Sequence, residues 1–201
     1  MRARAAWRPT REEIAAAAGR TVPDVVRPGL DVLFVGINPG LYSGAVGHHF
    51  ARPGNRFWKA LHGSGFTPEL VGPFEERRLL DHGLGITNLV RRATSGAAEV
   101  GDEELRAGGR RLRRKAGRLV PRFVAFLGVT AYRSAFGLPF ASVGAQAEAF
   151  GPSRAWVLPN PSGLNAHYQL PALIEEFEAL RAAVSASRGR AGGDRGRGGR
   201  R

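Results

Sequence analysis

The sequence contains no cysteine and only two lysines in 201 residues. The absence of cysteine excludes disulfides, thiolate-bound iron–sulfur clusters and cysteine zinc sites, and it fits a reducing compartment. The apolar run at residues 14–18 is too short for the core of a signal peptide, and no run approaches the roughly 18 apolar residues of a membrane-spanning helix. We therefore expect a soluble, intracellular protein with no metal, no cofactor and no membrane partner.

Arginine dominates the charge, supplying 28 of the 30 basic side chains in a formal net charge of +13. Residues 1–20 hold five arginines against two glutamates, and residues 185–201 hold six against one aspartate. A basic domain with basic ends favours a nucleic acid over a membrane, because no basic amphipathic helix with exposed aromatics accompanies the charge. A genome biased towards arginine, glycine and alanine would give the same excess, so charge alone leaves both explanations open.

Buried strands and helices alternate along the chain, which predicts an α/β fold. We expect a three-layer α/β/α sandwich whose central, mainly parallel sheet has about four strands, at residues 32–35, 86–90, 123–127 and 156–158. The predicted helices cover residues 55–63, 75–82, 103–119, 131–136 and 171–184.

The domain itself is expected to span residues 30–184. Residues 1–29 form a basic N-terminal arm of unknown role, and residues 185–201 form a basic Arg/Gly-rich tail. The tail has too few hydrophobic residues to fold, so we expect it to be disordered.

Two turns rich in Gly, Pro and Asn follow predicted strands. The first is Gly36-Ile37-Asn38-Pro39-Gly40, and the second is Pro159-Asn160-Pro161-Ser162-Gly163-Leu164-Asn165. Because ligands of open α/β sheets bind outside the carboxyl ends of the strands, the two turns are expected to share one pocket. The glycines match neither G-x-G-x-x-G nor a Walker A loop, which argues against a phosphate loop. His48 and His49 lack neighbouring acidic or cysteine ligands, which argues against a metal site.

Six blocks of the sequence, in order, resemble the mismatch-specific uracil/thymine-DNA glycosylase family. The resemblance covers roughly residues 30–184 and implies an enzyme that flips uracil or thymine mispaired with guanine. Such an enzyme cuts the N-glycosidic bond and leaves an abasic site for base-excision repair. The blocks are Gly36-Ile37-Asn38-Pro39-Gly40-Leu41, Gly47-His48-His49-Phe50, Pro53-Gly54-Asn55-Arg56-Phe57-Trp58-Lys59, Gly85-Ile86-Thr87-Asn88-Leu89-Val90, Gly108-Gly109-Arg110 and Pro159-Asn160-Pro161-Ser162-Gly163-Leu164.

By this resemblance Asn38 is the catalytic residue and orients the attacking water. A carboxamide has one acceptor and two donors but cannot take up a proton as a general base. The glycosidic bond must then break early, with preorganised donors stabilising the charge that develops. The implied base pocket has the Phe50 ring as stacking platform and the N–H groups of Ile37 and Phe50 as donors. Its residues are Ile37, Gly40, Ser43, His49, Phe50, Asn88 and Asn160.

The second turn would contact the duplex. Leu164, flanked by Gly163 and Asn165, would fill the space left by the flipped nucleotide, as apolar wedges do between base steps. Backbone groups beside it would face the unpaired guanine, and Ser162 is a candidate phosphate contact. The expected partner is double-stranded DNA with G·U or G·T mismatches, which places the protein in the cytoplasm at the nucleoid. We expect a monomer.

The resemblance gives mixed indications of which base is preferred. His49 and Asn88 match the thymine-active branch, Ser43 lies where room for the thymine methyl is set, and the second turn resembles the uracil-preferring branch. We expect uracil first and thymine weakly, because excluding one methyl by shape gives only about 1–3 kcal/mol. The only lysines, Lys59 and Lys115, fall in predicted helices away from both turns, so no lyase step is expected. Action on hydroxymethyluracil or ethenocytosine, or DNA binding without catalysis, remain open alternatives.

Overall fold

The computed structural model describes residues 8–193, and its centre is a five-stranded sheet. The strand order is β2-β1-β3-β5-β4, with every pair parallel except β4 with β5. This confirms the predicted α/β class and the mainly parallel sheet. The strands are β1 (Val32–Gly36), β2 (Leu84–Asn88), β3 (Phe123–Leu127), β4 (Gly144–Phe150) and β5 (Ser153–Leu158).

The fifth strand, β4, is the one that the sequence pattern did not predict. It lies at the sheet edge, only Phe150 in it is buried, and its other apolar residues are alanines. A strand with one buried face and small side chains lacks the continuous apolar run that marks the buried parallel strands.

Helices cover both faces of the sheet and make the expected three layers. Phe34 of β1 packs with Phe57 and Phe177 on one face, while Val35 packs with the side of the sheet that holds Leu112 and Tyr132. The helices are α1 (Arg11–Ala15), α2 (Leu41–Val46), α3 (Phe57–Gly63), α4 (Asp102–Leu119), α5 (Val129–Phe136) and α6 (Leu170–Gly193), with 3₁₀ segments at Pro73–His82 and Ala97–Glu99. None of the described helices is long and apolar enough to cross a bilayer.

The ends of the domain differ from the predicted boundaries. Helix α6 continues to Gly193, so residues 185–193 are helical rather than disordered. The glycines in this stretch do not favour a helix, but Arg188 pairs with Asp31 at the amino end of the sheet and so ties the stretch to the domain. The remaining tail, residues 194–201, lies outside the described residues.

Residues 8–29 pack against the domain instead of standing apart as an arm. Ala17, Val22 and Val25 are buried, and Val25 exchanges backbone hydrogen bonds of 3.0 and 2.8 Å with Ile86 of β2. This stretch therefore covers the outer edge of β2. Residues 1–7 of the predicted arm lie outside the described residues.

Candidate active site

A cavity of about 160 Å³ opens at the carboxyl ends of β1, β2, β3 and β5, between the two predicted turns. It is lined by eight of the predicted catalytic and base-pocket residues, together with Ser162 and Leu164 of the second turn. The eight are Ile37, Asn38, Gly40, Ser43, His49, Phe50, Asn88 and Asn160. Gly163 and Asn165 lie in the same turn but outside the lining.

The Asn38 side chain is fixed by its amide nitrogen. Nδ2 donates to the carbonyl oxygens of Pro39 (3.0 Å) and Arg92 (3.3 Å) and to Thr94 Oγ1 (2.7 Å). Two of these acceptors are carbonyls, so only the NH₂ end of the carboxamide can face them. The opposite end, the carbonyl oxygen Oδ1, is then the Asn38 atom left to accept a hydrogen bond in the cavity.

The loop after β2 holds the Asn38 turn in place. Leu89 and Val90 donate their N–H groups to the carbonyls of Gly36 and Ile37, and the N–H of Thr94 donates to Pro39. The Thr94 hydroxyl, which accepts from Asn38, donates in turn to the Gly96 carbonyl at 2.8 Å. The orientation of Asn38 therefore depends on a segment more than fifty residues away along the chain.

Gly36 lets two pocket side chains approach the end of β1. A Cβ atom at this position would lie 2.3 Å from Asn88 Oδ1 and 3.3 Å from Phe50 Cζ. The Phe50 ring packs on Phe57 with centroids 4.3 Å apart, which fixes one wall of the cavity. A glycine at the end of β1 is thus a steric requirement of the pocket.

Phe50 has a left-handed backbone conformation, with φ of 51°. A non-glycine residue in this region costs of the order of 1–2 kcal/mol and persists only where its surroundings impose it. Among the described residues, neither the N–H of Phe50 nor that of Ile37 donates a hydrogen bond. Both residues line the cavity, so these N–H groups are candidate donors to a ligand.

A buried carboxylate supports the histidine loop. Glu76, 6% exposed, accepts from the His49 N–H (2.8 Å) and pairs through its two oxygens with Nδ1 of His49 and of His48, both at 3.0 Å. Burial raises the pKa of Glu76, but the hydrogen bonds and charge interaction with His49 outweigh it and lower the pKa from its ordinary value. Glu76 is thus an anion that holds both imidazoles by Nδ1.

Ser43 and Gly40 shape the same loop through α2. Gly40 is the N-cap of α2, and the Ser43 hydroxyl, 4% exposed, accepts the N–H of Ala51 at 3.1 Å. The serine oxygen is therefore already engaged in closing the loop that carries His49 and Phe50.

The second turn combines internal hydrogen bonds with an exposed tip. Asn160 Oδ1 accepts the Ser162 N–H at 3.0 Å, and Asn165 Nδ2 donates to the Asn160 carbonyl at 2.9 Å. Leu164 is 74% exposed at the mouth of the cavity. Single exposed apolar side chains are normal on protein surfaces, so it is the position at the mouth of the cavity that makes Leu164 a candidate contact.

Sequence reasoning missed Thr94 and Glu76. Thr94 belongs to an irregular segment after β2, where nothing in the local pattern distinguishes it from other polar loop residues. Glu76 lies on a helical segment rich in charged residues, and in such a segment the sequence does not distinguish a buried carboxylate from exposed ones. Their contacts with Asn38 and His49 span 56 and 27 residues of sequence.

The profile of the uracil DNA glycosylase superfamily matches residues 23–184. The chain belongs to this superfamily. A similar fold occurs in the solution NMR structure of a protein from Methanosarcina acetivorans named provisionally as a uracil DNA glycosylase. The two chains are 21% identical, with a TM-score of 0.56 and an alignment that covers 82% of this chain and 97% of the other.

Membership of the uracil DNA glycosylase superfamily indicates the class of reaction that the protein catalyses. The protein is a DNA glycosylase, a hydrolase of N-glycosidic bonds whose partner is DNA. The superfamily match begins within the N-terminal stretch, at residue 23, in agreement with the packing of Val25 against β2.

Proposed function

We propose that the protein is a monofunctional DNA glycosylase that flips and excises uracil, and more weakly thymine, mispaired with guanine. The observation that carries the proposal is the fixed carboxamide of Asn38, whose amide end is tied to Pro39, Arg92 and Thr94. The carbonyl end is left to accept a hydrogen bond from water in a cavity large enough for a planar base.

The arrangement fits hydrolysis without a general base. Asn38 Oδ1 would orient a water molecule towards the sugar C1′, but a carboxamide cannot remove its proton. The C1′–N1 bond would therefore break first, its electron pair leaving with the pyrimidine, and water would add to the cationic sugar and then lose a proton to solvent. Among the described residues, those that line the cavity include no aspartate or glutamate that could act as a general base.

The departing pyrimidine carries the negative charge in this scheme. The N–H groups of Ile37 and Phe50 would donate to it, and preorganised donors of this kind typically contribute about 10²- to 10³-fold each. The Phe50 ring, held by Phe57, offers the flat surface on which an extruded base would stack.

Mismatch selectivity would come from the cost of extrusion and from the second turn. Unstacking a base costs a few kcal/mol, and least for a mispaired one. Leu164 would occupy the vacated space and keep the base from returning, while neighbouring backbone groups meet the guanine. The single chain can hold the whole site, so we propose that it acts as a monomer.

The experiment is a panel of end-labelled duplexes carrying G·U, G·T, A·U, or hydroxymethyluracil or ethenocytosine opposite guanine, scored for alkali-sensitive breaks. We expect G·U to be cleaved fastest, G·T slowly, and no break without alkali. An intact G·U duplex would contradict the proposal. Faster cleavage of one of the other modified bases would reassign the substrate but keep the chemistry.

A further inference from the structure

The Arg56 side chain, just before α3, is bonded to the turn that carries Leu164. Its Nη2 donates to the carbonyl oxygens of Ser162 (2.6 Å) and Asn165 (2.8 Å). Its Nη1 donates to the Tyr168 carbonyl and to Gln169 Oε1. One guanidinium therefore connects four points along residues 162–169, more than a hundred residues away in sequence.

The two backbones also touch at this point. The Arg56 N–H donates to the Pro161 carbonyl at 2.9 Å. A Cβ atom at Gly163 would lie 2.7 Å from the Gly54 carbonyl oxygen, so the turn is pressed directly against residues 54–56. Arg56 thus fixes the Leu164 turn both through its main chain and through its side chain.

Four of the five N–H donors of Arg56 are hydrogen-bonded. Two go to the turn, at Ser162 and Asn165, and two go to Tyr168 and Gln169 just after it. The fifth, on Nε, is buried without a partner in the described part of the chain, so no exposed donor is left to face a DNA phosphate. Lysine could not replace it, because an ammonium on a flexible stem cannot span four acceptors held in a fork.

We propose that Arg56 is a positioning residue that holds the Leu164 turn in its inserting conformation and does not itself contact the DNA backbone. The inference rests on the proposed function, because it concerns how the wedge extrudes a base. A wedge must keep its shape against the restacking duplex, and the carbonyls of residues 162, 165 and 168 rely on Arg56. Without it the turn would have to be ordered each time DNA binds.

The test is a double-mutant cycle on single-turnover excision from a G·U duplex, with Arg56→Ala, Leu164→Ala and the double variant. We expect each single variant to be about tenfold slower or worse, and the double variant to be no slower than the worse single one. Residues that act through one another are non-additive in such cycles. Losses that multiply in the double variant would overturn the inference.

Base extrusion is measured separately in the Asn38→Ala background, with 2-aminopurine next to the uracil. We expect Arg56→Ala to reduce the fluorescence rise on binding as much as Leu164→Ala does. If a thermal melt shows that Arg56→Ala is unfolded, Arg56→Lys takes its place. It should show the same loss of the fluorescence rise, and combining it with Leu164→Ala should add no further loss. Wild-type behaviour of Arg56→Lys would overturn the inference.

The salt dependence of duplex binding distinguishes positioning from phosphate contact. Removing one phosphate contact lowers the slope of log affinity against log salt by about one. We expect Arg56→Ala to keep the wild-type slope, and a slope lowered by about one would overturn the inference. Arg181→Ala, which removes the same charge from α6 near Gly65, is the matched control and should excise like wild type. If wild-type protein releases no uracil from G·U, the proposed function fails, whereas normal wild-type activity with an additive cycle refutes only the role of Arg56.

Discussion

The two turns that face the cavity are built in opposite ways. The Asn38 turn is partly buried, and backbone hydrogen bonds tie it to the segment after β2 on one side. The Leu164 turn is exposed at its tip and is held by its own hydrogen bonds and by one arginine from another loop. The difference corresponds to two tasks, since a group that orients water needs a fixed atom and a group that enters DNA needs an exposed side chain on a firm base.

Replacing Asn38 should have the largest effect, and this effect should be on the rate of bond cleavage and not on DNA binding. In Asn38→Ala the water-orienting oxygen is lost, and we expect single-turnover excision from G·U to fall by about 10²- to 10³-fold, the size seen for single preorganised groups. Duplex affinity should change little, as measured by anisotropy. Gln146→Ala, which removes a carboxamide from β4, is the control, and an equal loss there would refute a specific role for Asn38.

Replacing Gly36 should damage the same turn through sterics. Gly36→Ala places a Cβ against Asn88 and Phe50, and overpacking of this kind costs about 1–3 kcal/mol. We expect excision to fall about 10- to 100-fold, with a lower melting temperature. Gly72→Ala, where a Cβ meets no atom within 4 Å, should behave as wild type. Equal excision rates and melting temperatures in the two variants would mean that the pocket tolerates a shift of Asn88 and Phe50.

Replacing Thr94 should give a smaller loss, because it acts on Asn38 indirectly. Thr94→Val keeps the shape but removes the hydroxyl that accepts from Asn38 Nδ2. A hydrogen bond of this kind contributes about 0.5–1.5 kcal/mol, so a loss of about threefold to tenfold is expected in excision rate. Thr94→Ser, which keeps the hydroxyl, should restore most of the rate. Failure of serine to do so would assign the loss to packing instead.

The smallest effect is expected at Glu76, and it should appear in stability. A carboxylate whose pKa is lowered by folding stabilises the protein above its unfolded pKa, and this contribution is lost as the pH falls through the folded pKa. Glu76→Gln should therefore unfold at lower urea than wild type at pH 7. The gap in urea midpoint should narrow as the pH falls through the lowered pKa of Glu76. A gap that stays constant with pH would show that the charge of Glu76 is not what stabilises the loop.

The parts of the structure that local patterns could predict are those marked by the residue types of one short segment. Buried parallel strands such as Phe123–Leu127 carry continuous apolar runs, and the strand-end turns follow from them. The edge strand β4 was missed because its exposed alanines give no such run. Thr94, Glu76 and Arg56 act through contacts between distant segments, which no local pattern encodes. The continuation of α6 from residue 185 to Gly193 was not predicted, because glycines in this stretch disfavour a helix and the pairing of Arg188 with Asp31 is a contact between distant segments.

The most direct test of the division between the two turns compares Asn38→Ala with Leu164→Ala on one G·U duplex carrying 2-aminopurine beside the uracil. Fluorescence reports extrusion and alkali-sensitive breaks report excision. We expect Asn38→Ala to keep the fluorescence rise and lose the breaks, whereas Leu164→Ala should lose the rise and slow the breaks in proportion. Loss of the rise in Asn38→Ala, or unchanged extrusion in Leu164→Ala, would contradict this division of roles.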